Sequence, residues 1–444
     1  MAQSFLSCDR EQDFLMPPSV REWLPAGHLA WYLLEVVERL DLDAFYGEYR
    51  ADGSGRPAHD PAMMVALLLF AYCVGERSSR QIERRCQEEV PFRVIAANRA
   101  PDHTTIARFR QRHAERLAAL FVQVLRMCAK AGMVRVGTVA VDGTKIAADA
   151  GLSANRCYPA IRDEVERILA EADAVDAAEG EQFGQARGDE LPPELADPVS
   201  RRARLERAQR ELEAEDAARR AEYEARMAAR EAHRERTGKN PPGRPPKPPK
   251  ASALDESKRN ITDPDSRIMS ARGAHLQAYN AQALVGEGRI ILAAEVTNSG
   301  ADSNQLERMV AAARANLAAI SHDEKIKCVL GDAGYWNHDE IAAVQATTSA
   351  VIVPTNDPHN TQRTRAPKQG PQADRINTIL ATRAGRRLYR RRAELVEPVF
   401  AHTKHTRGIS RFSRRGQPAV QAEWRLIAAT HNLLKLFRHT PLPA

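Results

Sequence analysis

The sequence predicts a mixed α/β sheet, preceded by an all-helical region and split by a long insertion. Three observations carry this reading. Up to about residue 135 apolar positions recur at helical spacing. From 136 onward the pattern changes to short apolar runs at 136–148, 279–285, 289–297, 326–330 and 350–353, which read as strands. Residues 152–268 fit neither pattern, being rich in Glu, Arg and Ala and then in proline. Three strands, then alternating helix and strand, then a helical end describe a sheet with helices packed on it.

Taken in order, 26–42 reads as a helix, Asp60-Pro61 as a helix start and Gly75 as a stop. A helix over 78–90 leads through a Pro/Asn-rich connection to one helix over 102–132, capped by Asp102 or Thr104. There Ile106, Phe109 and His113 share a face, so that Arg108, Arg110 and Arg112 are expected to point outward. An Arg-studded second helix is compatible with a helix-turn-helix reader of the DNA major groove, and equally with a bundle carrying a solvated basic face. In the sheet region, Gly286-Glu287-Gly288 reads as a hairpin turn, and helices are expected at 303–320 and 338–345. Within the insertion, 161–238 has high helix propensity. Leu205 and Leu212 stand one heptad apart, but the pattern is not sustained, which favours a solvated helical hairpin or partly disordered arm over a coiled coil. Residues 241–250 hold six prolines and three basic residues and read as extended polyproline. Gly243-Arg244-Pro245 weakly matches cores that enter A·T minor grooves, although a plain linker is the simpler reading.

The expected organisation is therefore a helical DNA-binding domain over 1–135, a catalytic domain over 136–151 and 269–444, and the insertion over 152–268. With 444 residues, each part is long enough for its own core. Charge is distributed unevenly. Residues 361–444 carry 18 Arg or Lys against four acids, a surplus of 14 in a chain whose net charge is +7, so the rest sums to about −7. A basic concentration of this kind is the footprint of a polyanion partner. The six cysteines are scattered without a CxxC pair, which excludes a zinc module or disulfide framework and places the chain in a reducing interior. The longest apolar run, Ala62 to Val74, is too short to span a bilayer, so a cytoplasmic, nucleoid-associated protein with no membrane partner is expected.

Chemistry concentrates in three acids. Asp142 ends the apolar run of VGTVAVDGTKIAA, Asp332 ends that of KCVLGDAGYWN, and Glu397 lies in LYRRRAELVEPVFAHTK. Carboxylates just past short strands stand at a sheet rim, where hard-oxygen ligands can hold Mg²⁺. Two such ions about 3.5–4 Å apart would activate the nucleophile, steady the leaving oxygen and neutralise a phosphodiester. Pro398 disfavours helix at Glu397, so the helix either kinks there or begins at Pro398, the latter placing Glu397 at a positive helix end. Lys404 follows two turns later on nearly the same face, while Tyr389 and Arg392 precede it; all three could contact DNA beside the metals. His402 and His405 lack an HExxH arrangement, and the apolar positions of 417–437 read as core.

Together these stretches resemble the DDE transposases of bacterial insertion sequences over nearly the whole chain. PDHTTIARFRQRH resembles the helical domain preceding their catalytic core, VAVDGTKIAADA the first-Asp strand, and NITDPDSRIMS with AYNAQALV the re-entry after the insertion. LGDAGYWN resembles the second-Asp motif, and YRRRAELVEPVFAHTK, with RGISRFSRRG and THNLLKL, the third-acid motif. The gap from Arg392 to Glu397 is one residue longer than the commonest spacing, and Gly286 stands where many relatives carry an Asp. The resemblance implies a ribonuclease H-like mixed sheet holding two Mg²⁺, with Mn²⁺ as a substitute. Asp142, Asp332 and Glu397 would be catalytic metal ligands, and Lys404, Tyr389, Arg392, Arg108, Arg110 and Arg112 would contact DNA. It further implies end cleavage and strand transfer at terminal inverted repeats by a homodimer or larger assembly on double-stranded DNA. The alternatives are a DNA-binding relic or domesticated transposase without catalysis, a scaffold built on the charged arm, and a nuclease without strand transfer.

Overall fold

The computed structural model describes residues 19–49, 57–168, 170, 201–241, 244–271, 273–355 and 370–439. Cys8 and Gly243 lie outside them, as does the 171–200 part of the charged arm. No described residue before Arg135 is in a strand. The first helices are α1 (Leu29–Glu38), α2 (Asp43–Tyr46) and α3 (Pro61–Cys73). Asp60 accepts from the Met63 amide to cap α3, and Gly75 closes it at φ +85°. Next come α4 (Ser79–Glu88), α5 (Val90–Ile95), α6 (His103–Arg112) and α7 (Ala114–Lys130). The single helix expected over 102–132 breaks at His113, whose ring is buried among Phe45, Phe109 and Tyr49.

Six strands form the main sheet: β1 (Arg135–Ala147), β4 (Arg267–Ala271), β5 (Ala274–Glu287), β6 (Ile291–Thr297), β7 (Cys328–Leu330) and β8 (Ala350–Ile352). Their order is β6-β5-β1-β7-β8, and β4 extends the far edge of β5 beyond β6. β5 pairs antiparallel with β1 and β6 antiparallel with β5, whereas β7 pairs parallel with β1 and β8 parallel with β7. Parallel neighbours need crossovers. Here α9 (Leu306–Ala319) precedes β7 and α10 (His338–Gln345) joins it to β8. The expected Gly286-Glu287-Gly288 turn lies at the β5–β6 connection, where the Arg289 amide donates to the Gly286 carbonyl at 3.1 Å and Gly288 (φ +76°) and Arg289 (φ +64°) are left-handed, as a tight hairpin requires.

The chain ends in α11 (Pro371–Ala381), α12 (Arg383–Ala401), a π-helical turn at His402–Thr406, and α13 (Gln417–His439). Sequence spacing suggests that α13 is amphipathic; it is instead buried nearly all round, since α3 and α7 pack on one side and β6 on another. Its amides also serve the sheet. Asn432 Nδ2 donates to the Ile291 carbonyl (2.9 Å) while its Oδ1 accepts from the Ile291 amide (2.9 Å). Gln421 makes the same paired contact with Val296 N (2.6 Å) and Ala294 O (2.9 Å). The open edge of β6 is thereby covered by a helix, which blunts a strand otherwise free to pair with another chain. One continuous apolar core runs from the first helices through the sheet to α13.

Within the insertion, β2 (Asn155–Cys157) pairs antiparallel with β3 (Lys258–Asn260), closing its base. Between them lie a helical stretch over 158–168 and α8 (Arg201–Thr237). Ile161, Val165, Leu205, Ala208 and Leu212 form a separate small core, so the Leu205/Leu212 heptad is a packing seam one turn-pair long. Beyond Asp216 no residue of α8 is buried. At about 1.5 Å per residue the 37-residue helix is about 56 Å long, and its second half projects into solvent.

α13 also carries His431, fully buried, with Nδ1 3.3 Å from His402 Nδ1 and Nε2 donating to the Arg289 carbonyl at 3.1 Å. Burial lowers the pKa of His431 to about 3 and that of His402 to about 4, and the neighbouring charges, Arg407, Lys435 and Arg438, are all cationic. Unfolding lets both rings return toward their ordinary value near 6.5, so the unfolded chain takes up protons first. Stability from this pair is complete above pH 6.5 and is lost as pH falls toward 4. Thermal melting from pH 7 to 5 should show this fall, and His431→Gln should flatten it. An equally steep fall in the variant would assign the acid sensitivity elsewhere.

Candidate active site

Strand register brings the first two acids together. The last pair between the parallel strands β1 and β7 is Ala140 with Leu330. Asp142 and Asp332 each lie two residues farther along, so residues 190 apart in sequence reach the same level on strands about 4.8 Å apart. Asp332 is past the end of β7, whereas Asp142, expected just past a short strand, lies inside β1, which runs on to Ala147 against β5. Carboxyl ends of parallel strands are where open α/β sheets place ligands. Asp332 also caps the short turn Ala333–Tyr335, accepting from the Gly334 amide at 2.8 Å. Asp142 Oδ1 accepts from the Gly143 amide at 2.8 Å.

Glu397 reaches the site from α12. This helix neither starts at Pro398 nor stops there; it continues to Ala401. The missing proline N–H would leave the Glu394 carbonyl without its helical partner. Arg289 Nε, from the β5–β6 turn, donates to that carbonyl at 3.1 Å. Glu397 is thus a mid-helix residue with a side chain 61% exposed, and the helix-end field expected for it does not apply.

Arg392 stands between the acids. Its Nη1 donates to Asp142 Oδ2 at 2.8 Å, and its Nη2 lies 3.6 Å from Glu397 Oε1. Burial raises the Asp142 pKa to about 6; Arg392 pulls it down, and the nearby Asp332 and Asp302 push it up. Asp332 is raised by burial and then by Asp302. Among the described residues no three Asp, Glu, His or Cys side chains converge closely enough to hold an ion, because the guanidinium separates Asp142 from Glu397.

The other expected residues divide. Tyr389 is half-buried beside Arg392, Asp332 and Asp142, and burial raises its pKa. Lys404, in the π-helical turn, donates from Nζ to the Lys145 carbonyl at 2.8 Å. Arg108 and Arg112 are exposed on α6. Arg110 departs from the outward expectation. Its guanidinium turns inward to the Arg77 carbonyl and Ser79 Oγ, both at 2.7 Å, because α6 packs against α4.

Sequence reasoning missed the polar floor of the site. On β5, Asn280 and Gln282 are fully buried, and both donate to Asp302 Oδ1, at 2.7 and 2.8 Å. Lys145 Nζ approaches the same oxygen at 3.4 Å, and Tyr335 donates to Gln282 Oε1. A signal was present: amides two residues apart in the apolar run AYNAQALV lie on one face of a strand and need buried partners.

Two stretches of the chain match models of known families. Residues 18–112 match a transposase domain (DUF772), and residues 354–437, which include Glu397, match a transposase DDE domain. Together the two matches support an insertion-sequence DDE transposase. No curated protein and no solved structure matches it. In this transposase the two matched stretches meet. Arg407, from the second, donates to the Tyr72 carbonyl in the first at 2.8 Å. No helix among the described residues is long and apolar enough to cross a membrane.

Proposed function

We propose that this transposase cleaves the ends of its element and joins them to target DNA through Asp142, Asp332 and Glu397, with Mg²⁺ or Mn²⁺ as cofactor. The observation carrying the reading is the matched register of Asp142 and Asp332, each two residues beyond the last parallel pair of β1 and β7. The strand order β6-β5-β1-β7-β8, antiparallel then parallel about β1, supports a ribonuclease H-like core. The donors also suit a hard cation. Asp142 and Asp332 are hard-oxygen carboxylates with Asp302 beside them. A Cβ on Gly143 would meet Gln282 Nε2 at 2.1 Å, Asp302 Oδ1 at 2.6 Å and Asn280 Oδ1 at 2.7 Å, so this polar floor needs glycine there.

When bound, two Mg²⁺ would lower the charge on the phosphate and favour deprotonation of the attacking oxygen. The protein's part follows from its own groups. Asp142 and Asp332 are held ionisable at the rim, while Arg392 keeps Asp142 and Glu397 apart until phosphate oxygens compete for its guanidinium. Lys404 and Tyr389 flank the acids and would position the backbone. Arg108 and Arg112 would contact DNA from α6, with Arg110 supporting that helix from within. Cleavage forms a bond from water oxygen to phosphorus and breaks the P–O3′ bond, leaving a 3′-OH and a 5′-phosphate. Joining then repeats the displacement, with the 3′-OH attacking a target phosphorus. Two ends require at least a homodimer on the DNA, acting at the nucleoid.

The test is incubation of the transposase with labelled duplex carrying the repeats that flank its coding sequence, with Mg²⁺ or with EDTA. Nicking at the repeat ends and joined products, both lost in EDTA, are expected. Nicks without joined products would leave a nuclease, and binding without nicks would leave a DNA-binding relic.

A further inference from the structure

Charge is sorted along the insertion. Residues 201–216, the half of α8 that carries the small core, hold five Arg against five acids, whereas 217–250 hold ten Arg or Lys against four Glu. The surplus of six belongs to the projecting part alone. On the helix most of these charges are already matched. Arg219 and Arg220 pair with Asp216, Arg226 with Glu222 and Arg234 with Glu231. Such exposed pairs are the ordinary way a solvated helix carries charge.

The returning chain is different. Gly238 (φ +67°) ends α8, its amide donating to the Arg234 carbonyl at 2.8 Å, and the chain reverses. Arg230 Nη2 then donates to the Pro241 carbonyl at 3.2 Å, and farther down Arg219 Nη2 lies 3.5 Å from Ser257 Oγ. The return therefore descends beside the helix from the level of Arg230 to that of Arg219, eleven residues or about 17 Å. In polyproline geometry, Arg244 to Lys250 covers about 19 Å, which matches. Lys250 has that geometry, with φ −64° and ψ 144°. Exposure also repeats every three residues. Pro246 and Pro249 are half-buried, while Arg244, Pro245, Lys247, Pro248 and Lys250 are exposed. At three residues per turn, Arg244, Lys247 and Lys250 fall on one edge, about 9 Å apart. Arg244, Pro245, Lys247 and Pro248 each precede a proline, which confines them to extended backbone, so the edge is stiff before anything binds. Among the described residues neither Arg244 nor Lys247 pairs with a carboxylate, and Lys250 has Glu256 at 3.7 Å, both well exposed.

We propose that the projecting half of the insertion lies along duplex DNA, with Arg244, Lys247 and Lys250 contacting backbone phosphates without reading sequence. The proposal rests on the reading of this protein as one that acts on duplex DNA. A duplex carries one negative charge about every 1.7 Å of its axis, so a straight row of cations meets phosphates wherever it is laid down. The stiff edge loses little freedom on binding, unlike free Lys and Arg side chains on a flexible linker. A plain linker accounts for neither the three-residue repeat of cations nor the helix of matching length beside it.

The experiment uses the full chain and two labelled duplexes, one carrying the repeats that flank the coding sequence and one of unrelated sequence. Affinity is measured across a salt series, together with hydroxyl-radical footprints and melting temperature. The test variant combines Arg244→Ser, Lys247→Ser and Lys250→Ser; its control, Arg244→Lys with Lys247→Arg and Lys250→Arg, keeps the charge. Each phosphate contact contributes about 0.9 to the slope of log affinity against log salt, so the test variant should lose about 2–3 from that slope. At about 100 mM salt it should bind both duplexes about tenfold more weakly. Its footprint should lose one patch of protection and keep the rest, its melting temperature should not move, and the control should match the parent. Parent slope, affinity and footprint in the test variant would overturn the proposal alone. Failure of the parent to bind either duplex would overturn the reading beneath it. Equal weakening in the charge-keeping control would assign the effect to shape and overturn the proposal. Sedimentation showing a DNA-free parent dimer that the test variant does not form would assign the edge to pairing between copies, and likewise overturn it.

Discussion

Asp332→Asn should reduce end cleavage by about three orders of magnitude, equivalent to about 4 kcal/mol of transition-state stabilisation, while leaving end binding within about twofold. The substitution preserves volume and the oxygen that accepts from Gly334, so the turn it caps should persist. What is removed is negative charge at the strand end, beside Asp302 and the guanidinium of Arg392. Asp142→Asn should be equally inactive, but it also deprives the half-buried Arg392 of its closest partner and is the less clean of the two. Gel-resolved cleavage and mobility-shift binding, on the same labelled ends, measure the two effects separately. Cleavage at the parent rate by Asp332→Asn would refute the catalytic assignment of this residue. Equal loss of binding and cleavage would place it in DNA recognition instead.

The second large effect is expected far from the acids. Arg407 is buried and, among the described residues, touches no carboxylate. Its guanidinium instead donates to the Tyr72 carbonyl (2.8 and 3.2 Å), the Ile427 carbonyl (3.2 Å) and Thr430 Oγ1 (2.6 Å). Even with burial lowering its pKa to about 10, it stays charged at neutral pH. Three elements converge here with no slack. A Cβ on Gly75 would fall 2.2 Å from the Arg407 carbonyl, at a φ of +85°. Arg407→Ala removes several charge-assisted hydrogen bonds and opens a cavity, so a loss of about 3 kcal/mol or more is expected. Arg407→Lys should recover little, since one ammonium cannot span the Tyr72 carbonyl of α3 together with the Ile427 and Thr430 acceptors of α13. Urea unfolding followed by far-ultraviolet circular dichroism should show an earlier midpoint in both variants. An unchanged midpoint would mean that the buried cation contributes nothing net to joining the first helices to the last.

Long elements with their own pattern were legible from sequence. The strand expected at 136–148 is β1, and the helix at 338–345 is α10. The three-residue β7 and β8 were legible because both lie in continuous apolar runs, whereas β2, β3 and β4, in NRC, KRN and RIMSA, carry polar or charged residues and are defined by their partners. The proline rule misdirected at Glu397 for a physical reason. Val396 and Val399 are buried and hold α12 on course, and Arg289, distant in sequence, satisfies the carbonyl that Pro398 abandons. The break at His113 depends on a ring cluster with Phe45 and Tyr49, about 65 residues upstream, that no local pattern contains. Asp142, Asp332 and Glu397 could be picked out because each ends or interrupts an apolar run. Asp302 could not, since NSGADSNQ reads as an ordinary loop until Asn280 and Gln282 are seen beneath it.

The position of α13 has a consequence for when this enzyme can come into being. α3 and α7 close their apolar faces on a helix made some three hundred residues later, and β6 has its edge covered by Asn432 and Gln421 of that same helix. A ribosome that has passed Asp332 has already made both aspartates, yet the surfaces they depend on are still bare. A fragment ending before α13 would therefore leave apolar faces of α3 and α7 and the edge of β6 uncovered. Tying the first helices to the last makes synthesis of α13 a condition of closing the core.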